Sequence, residues 1–487
     1  MIEGKIVEAL DSLKLDTCFV MDSATGEKYT YAQCFGLAKY ISIRLMKLKS
    51  DSFAVILENG YPLLALYFAA MFANITIIPI DPQKGEQEIQ DILNNHAGIP
   101  IICDNKELNG DYQIYPSEEI FPKDMRHDLY KEIVWQDVDF EKVYMITYTS
   151  GSTGKAKGVK HSLKNLFWSA LSFGKKMCYG ENTVMCHTMP MTYMAGILNT
   201  IIMPFIMHSR VVLFPRFQVI SAVHFWKRVE EYKVNTFWLS PTMLNILLTI
   251  DKKGDIKEYF SHNKPMFHVG TAPLYAELKA VFEERYQVKL YQSYGLSETL
   301  LLTTMPIDVG AVDNSVGELL EEVTLQFADD GEIFIDVPWM FLGYSNEKEE
   351  EYFSGNYYVS GDFGEMNKNY LMITGRKKDL IVRGGMNISP TQIEKEIYQY
   401  SEIQECCVSG VVINGEERTI CWYVSGSSDH EKLEHQINTH LTNLLGTNYK
   451  IDYFKRVKSI AKNLNGKVDK TEMKKRLLED KQNDYKV

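Results

Sequence analysis

The chain has no C-x-x-C pair and no Cys/His spacing of the kind that holds zinc, although it contains 8 cysteines in 487 residues. Thiols scattered in this way read as buried, reduced side chains rather than as a disulfide frame or a metal site. The adjacent Cys406 and Cys407 cannot readily bridge each other. A basic excess is missing too: Lys+Arg number 52 against Asp+Glu 64, a net charge of -12, which excludes a surface built wholesale for nucleic acid. The opening Met1-Ile2-Glu3-Gly4-Lys5 has no basic stretch ahead of an apolar core and a small-residue cleavage site. No secretory signal is expected from it, and a cytoplasmic location is.

Long unbroken apolar runs are scarce. Two uncharged stretches, 61–80 and 188–207, approach the roughly 20 residues of a membrane span. The first contains Asn74 and Pro79 and predicts a buried helix over 63–72 followed by a buried strand over 75–80. The second is interrupted by Pro190, Asn199 and Pro204. Both suit the interior of a large α/β protein without a transmembrane span.

What is present is ample core material: 45% of the residues are hydrophobic, enough for two or three domains at this length. Short β-branched runs at 53–57, 75–80, 143–147, 210–214 and 236–239 alternate with helical stretches such as 86–95 and 222–232. Parallel sheets flanked by helices follow from that alternation. From Gly331 the pattern changes to close-set strands and turns, at 331–335 and 355–362, which reads as antiparallel β. After Arg376 comes an α+β pattern: a helix at 390–400, strands at 406–413 and 418–424, and a helix at 431–445. The polar tail 481–487 is expected to fray.

The segment with the most chemistry is Tyr148-Thr149-Ser150-Gly151-Ser152-Thr153-Gly154-Lys155-Ala156-Lys157-Gly158-Val159, a strand entering a loop of glycines, hydroxyls and lysines. Such a loop aims backbone N–H groups, hydroxyls and ammonium groups at phosphate oxygens. It is not a Walker loop, because Gly154-Lys155 is followed by Ala156 rather than Ser or Thr.

The segment resembles the phosphate-binding loop of the acyl- and aryl-CoA synthetase, peptide-synthetase adenylation domain and luciferase superfamily, YTSGTTGxPKGV, with Ser152 for a Thr and Ala156 for the Pro. Ser keeps the hydroxyl, and losing the Pro loosens the loop without removing a donor. The resemblance recurs in order at Pro79-Ile80-Asp81-Pro82, Gly270-Thr271-Ala272-Pro273-Leu274, and Gln292-Ser293-Tyr294-Gly295-Leu296-Ser297-Glu298-Thr299. It continues at Tyr358-Val359-Ser360-Gly361-Asp362, at Gly375-Arg376-Lys377-Lys378-Asp379 through Gly384-Gly385, and at Asn463-Leu464-Asn465-Gly466-Lys467.

The resemblance implies a large N-terminal domain, 1–376, of two α/β subdomains plus a distorted β-barrel, and a small mobile α+β domain, 377–487. It implies ATP and Mg²⁺ as cofactors, with a carboxylic acid activated as acyl-AMP. The residues it assigns to the nucleotide are Thr149, Ser150, Gly151, Ser152, Thr153, Gly154, Gly270, Ala272, Pro273, Gln292, Tyr294, Gly295, Asp362 and Arg376. Tyr294 matches an adenine-stacking aromatic, Gln292 a side chain near the adenine amine, and Asp362 and Arg376 the ribose contacts. Glu298 matches the Mg²⁺ carboxylate, a hard oxygen for a hard cation. Lys467 matches the catalytic lysine that bridges carboxylate and α-phosphate, and Lys157 and Thr299 the further groups on the phosphates. Lys378 falls at the hinge, and Gly384 and Gly385 along the path of the pantetheine thiol.

The acid pocket is implied around Tyr193, Met194, Gly196 and Trp238, with Tyr193 at the position of a gating His or aromatic. Amino-acid activators carry an Asp in this early segment to pair with the α-ammonium, which is costly to bury alone. No Asp or Glu occurs between Asn182 and Phe225. That favours an acid–CoA ligase over an amino-acid activator and leaves fatty and aromatic acids both open. The alternatives are delivery of the acyl group to a carrier-protein phosphopantetheine and, in another class, a catalytically weak nucleotide-binding homologue.

Overall fold

The structure is a computed structural model and describes residues 2–104, 108, 110, 112–125, 135–150, 156–345, 352–383, 386–413, 416–464 and 466–484. Two sheets of the expected α/β type build its larger part. One has seven strands in the order Leu290–Gln292, Met266–Val269, Thr236–Leu239, Val184–His187, Arg210–Leu213, Cys18–Asp22 and Lys28–Thr30. Its first six strands are parallel and the last is antiparallel. The other has six strands, Ile114–Tyr115, Ile101–Cys103, Ser52–Ile56, Thr76–Pro79, Val143–Ser150 and Ala156–Ser162. Only its final pair is antiparallel.

The apolar run at 61–80 becomes the helix Tyr61–Ala73 and the strand Thr76–Pro79, as the chemistry of Asn74 requires: it caps the helix in the left-handed conformation, φ +53°. The helix is buried nearly all round, between the sheet and the helix Tyr31–Lys47. No helix among the described residues is long and apolar enough to cross a membrane. The helix predicted over 222–232 is instead two short ones, Val219–Ala222 and Phe225–Glu231, because His224 between them leaves helical geometry at φ -106° and ψ 11°.

The β-barrel expectation takes the form of an open, half-barrel antiparallel sheet of seven strands built on the long hairpin Tyr357–Asn367 and Tyr370–Arg376. The main apolar core gathers residues from Ile6 to Leu371, and a separate one runs from Ile381 to Ile451. In that last part, the strands Ile403–Ile413, Glu416–Ser425 and Tyr453–Arg456 form a sheet packed by the helices Pro390–Ile397 and His430–Leu445. A helix over Lys470–Asp484 closes the chain and includes the first residues of the tail predicted to fray.

Candidate active site

The C-terminal ends of the parallel strands, the half-barrel hairpin and the last module surround a cleft of about 2410 Å³. A single small-ligand pocket occupies roughly 300–1,000 Å³, so this cleft has room for more than one substrate.

One wall is an ionic clamp set by strand register. Asp362 lies opposite Arg376 in the hairpin, and the Arg376 Nε is 2.9 Å from Asp362 Oδ1. The Tyr294 hydroxyl donates to Asp362 Oδ2 at 2.8 Å, and the Asp362 N–H donates to Ser360 Oγ at 3.0 Å. Gly361 holds φ +71°, which turns the strand so that the next side chain faces Tyr294. With Asp362 only 6% exposed, burial pushes its carboxyl above the ordinary range. Arg376, the Tyr294 hydroxyl, Lys467 and Lys378 pull it back. These five groups are therefore electrostatic neighbours, although the sequence spreads them from 294 to 467.

A second wall carries Glu298. The short strands Gly295–Leu296 and Leu300–Leu301 pair antiparallel, so 297–299 form the turn between them. Gly295 is required there, since an added Cβ would lie 1.9 Å from the Leu300 carbonyl oxygen. Glu298 and Ser297 line the cleft. The Glu298 Oε1 accepts from the Tyr344 hydroxyl at 2.8 Å, and Tyr344 and Tyr358 hydroxyls lie 3.1 Å apart. Thr299 departs from its expected place: it is fully buried, its carbonyl accepting from the indole of buried Trp339 at 2.9 Å. The turn tip thus offers the Ser297 hydroxyl to the cleft and tucks Thr299 beneath it. The hydroxyl directly before Glu298 was the sequence signal for Ser297.

Lys157, 6% exposed, is paired through its backbone with Thr149 across the strands that flank the glycine loop, and both line the cleft. Its ammonium donates to the Tyr352 hydroxyl at 2.5 Å and sits 4.3 Å from the Tyr352 ring and 5.2 Å from the Tyr344 ring. Two aromatic faces around an ammonium supply a cation–π seat, which motif reading did not anticipate. Gly151, Ser152, Thr153 and Gly154, together with Gly384 and Gly385, lie outside the described residues, as does the Ser150 side chain.

Lys467 enters the cleft from the last module. Its loop is closed by Asn463, whose Oδ1 accepts the Lys467 N–H at 3.0 Å, and by Gly466 at φ +76°. The Gly466 carbonyl accepts from Thr242 Oγ1 at 2.7 Å, which docks the loop on the larger part of the molecule. Lys467 Nζ lies 5.9 Å from the Tyr193 ring. Lys378 lines the same cleft, and burial, with Arg376 and Lys467 nearby, pulls its ammonium below the ordinary value. A contact between the two cores reinforces this arrangement: the Tyr275 hydroxyl donates to Glu394 at 2.8 Å and its ring stacks on Tyr398 at 4.3 Å.

The remaining predicted residues lie on the third wall. Tyr193, Met194, Trp238, Gly270, Ala272, Pro273 and Gln292 line the cleft, with Trp238 stacked on His268 at 5.1 Å. Thr271 between them holds φ +71°, a strained position for a β-branched residue. Gly196 is corrected: it is buried behind the wall, where an added Cβ would lie 1.9 Å from the Pro190 carbonyl oxygen. It lets the helix Met194–Ile197 pack tightly and does not itself line the cleft. Asn199, which no motif singled out, does.

Residues 11–345 match the family described as AMP-binding enzyme. The chain belongs to this family. AMP-binding enzymes similar to it include the 2-succinylbenzoate–CoA ligase of Oceanobacillus iheyensis, 24% identical over 409 residues, which are 79% of this chain and 82% of that one. The malonate–CoA ligase of Arabidopsis thaliana is 27% identical over 370 residues, 68% of this chain and 60% of its own. Among solved structures, ATP-bound MatB from Rhodopseudomonas palustris superposes with a TM-score of 0.86 at 22% identity, over 97% of this chain and 98% of that one. The Bacillus subtilis o-succinylbenzoate coenzyme A synthetase, in complex with ATP and magnesium ion, gives 0.80 at 20% identity, over 96% and 98%. These likenesses extend the α/β architecture over nearly the whole chain.

Proposed function

We propose that the chain is an AMP-forming acid–CoA ligase, and the observation that carries this reading is the meeting of Asp362–Arg376, Glu298 and Lys467 in one cleft. In the first step a carboxylate oxygen attacks the α-phosphorus of ATP, the bond from that phosphorus to the bridging oxygen breaks, and pyrophosphate leaves. Two anions meet, so positioning and positive charge matter more than proton transfer. Lys467, carried on the docked loop, bridges carboxylate and α-phosphate. Asp362 and Arg376 hold the ribose, with Tyr294 and Gln292 against the adenine.

The residues present fit a magnesium ion. Glu298 uses one carboxylate oxygen on Tyr344 and presents the group to the cleft, and no cluster of three or more metal-ligating side chains occurs among the described residues. One carboxylate, with the remaining ligands from phosphate and water, is the usual Mg²⁺ arrangement. Bound there, Mg²⁺ supplies charge neutralisation to the leaving pyrophosphate. Ser297, rather than Thr299, is the hydroxyl offered to the phosphates, and Lys157 completes the cationic side.

In the second step the thiolate of CoA attacks the acyl carbon, the acyl–O bond to AMP breaks, and AMP leaves with its oxygen. Residues 1–376 and 377–487 form the two mobile parts of this cycle, a division supported by the separation of the cores between Leu371 and Ile381. Lys378 is the hinge, and 384–385 guide the thiol. A phosphopantetheine on a carrier protein offers the same thiol and is the second acceptor. Pyrophosphate release should require ATP, Mg²⁺ and a non-amino carboxylic acid, multiply with CoA, and collapse in Lys467→Ala. Release stalled at one turnover despite CoA points to the carrier protein, and none with any acid sinks the proposal.

A further inference from the structure

We infer that the acyl half of this cleft is built for a monocarboxylic acid bearing one neutral hydrogen-bonding substituent, which the side-chain amide of Asn199 reads. The inference rests on the ligase reading above and adds the class of its acid.

Charge comes first. Every cation that lines the cleft comes from residues 84–157 or 376–474; none of the lining residues between 158 and 375 is Lys, Arg or His. Two buried histidines lie close in the sequence to this wall. His187, held by Asn59 and Thr200, has its imidazole pulled down to about 3 by burial. His268, behind Trp238, is likewise pulled down to about 3. Neither carries charge at neutral pH. Lys467, whose Nζ lies 5.9 Å from the Tyr193 ring, serves the reacting carboxylate, so a second carboxylate on this wall would be desolvated without a lining cation of its own, which costs several kcal/mol and selects against it. The acids named in the relatives, 2-succinylbenzoate and malonate, each carry two carboxylates, so this chain departs from them.

Polarity comes second. Asn199 is 3% exposed, lines the cleft, and makes no side-chain hydrogen bond with any described residue. Its amide, with two donors and an acceptor, is not among the side-chain atoms sealed from solvent without a partner, so it meets water through the cleft until a bound acid displaces that water and must replace those hydrogen bonds. The lining residues next to it in the chain, Met194 and Leu198, are apolar. A substrate substituent is therefore the natural partner.

The backbone shows how Asn199 comes to face the cleft. Residues Leu198–Ile202 form a π-helical turn directly after Met194–Ile197. Asn199 is the second residue of this wider turn, and it lines the cleft together with Leu198 and Met194. The Thr200 hydroxyl bonds back to the Gly196 carbonyl at 2.5 Å and meets His187 Nδ1 at 2.7 Å, fixing the irregular turn.

The test compares kcat/KM for CoA thioester formation by the full chain on matched acids: hydroxybenzoates against methylbenzoates, 6-hydroxyhexanoate against heptanoate, and the diacids adipate and phthalate. At least one hydroxy acid should exceed its methyl partner about tenfold, the worth of one buried hydrogen bond, and both diacids should trail it by more. Asn199→Leu should bring hydroxy and methyl acids together by lowering only the former. Asn199→Asp should gain about tenfold on 4-(aminomethyl)benzoate or 6-aminohexanoate, through a charged hydrogen bond; misfolding cannot produce a gain. A diacid as the best substrate, or a hydroxy preference absent or unmoved in Asn199→Leu, overturns the inference and leaves the ligase standing. Absence of any acid-dependent turnover overturns both.

Discussion

The nucleotide side and the acyl side of the cleft are made differently. On the nucleotide side charged groups are matched by neighbours: buried Asp362 takes Arg376 and Tyr294, half-buried Glu298 takes Tyr344, and buried Lys157 takes Tyr352. On the acyl side none of the lining residues between 158 and 375 is Lys, Arg or His, the amide of Asn199 opens into the cleft, and that stretch of the wall is an irregular helix. A cofactor of constant shape rewards a prebuilt constellation, whereas a variable acid is met by a wall that few residues retune.

The sharpest way to break this contrast is Lys467→Ala, which should lower the rate of adenylation about 10²–10³-fold while changing ATP affinity much less. Rapid-quench measurement of pyrophosphate checks it, and an equal loss in affinity would make Lys467 a binding residue instead. Next comes Asp362→Ala, which strips the partner from Arg376 and Tyr294. Because Arg376 is 41% exposed and water screens it, the cost should be about 1–3 kcal/mol. That would be read as a lower Tm together with ATP binding weakened about tenfold or more in calorimetry.

The contrast between Ser297 and Thr299 is sharpened by a matched pair. Ser297→Ala should cost about tenfold in pyrophosphate release, and Thr299→Val, which keeps shape in a buried site, should stay within about threefold. A reversed order would return the phosphate role to Thr299. The smallest effect is expected from Tyr275→Phe, which removes the hydroxyl bond to Glu394 but keeps the stack on Tyr398. Losing one such bond, about 1 kcal/mol, should slow single-turnover adenylation a few-fold and leave thioester formation from preformed acyl-AMP undiminished.

The same contrast explains what could be read from the residues in order. Tyr294, Glu298, Asp362 and Arg376 sit inside short motifs whose spacing fixes their geometry, so the sequence placed them before the structure did. Alternation of β-branched and helical runs likewise marked some of the parallel strands, as at Thr236–Leu239, while Val143–Ser150 runs three residues past the expected 143–147. Asn199 gave no signal, because an asparagine in an apolar run looks like an interruption until the fold sets it in the cleft lining. Thr299 misled because a motif gives order along the chain but not which side of a tight turn faces solvent; Trp339, far off in sequence, decides that. Tyr352 and Tyr344 became partners of Lys157 only through folding of a segment distant in sequence.

The most direct test of the central claim is an oxygen-isotope experiment: the acid is supplied with ¹⁸O in its carboxylate together with ATP, Mg²⁺ and CoA, and the products are read by mass spectrometry. Attack on the α-phosphorus predicts one ¹⁸O in AMP, with unlabelled pyrophosphate and an acyl-CoA. Label in inorganic phosphate alongside ADP would contradict adenylation and, with it, the roles assigned to Lys467 and the Asp362–Arg376 clamp.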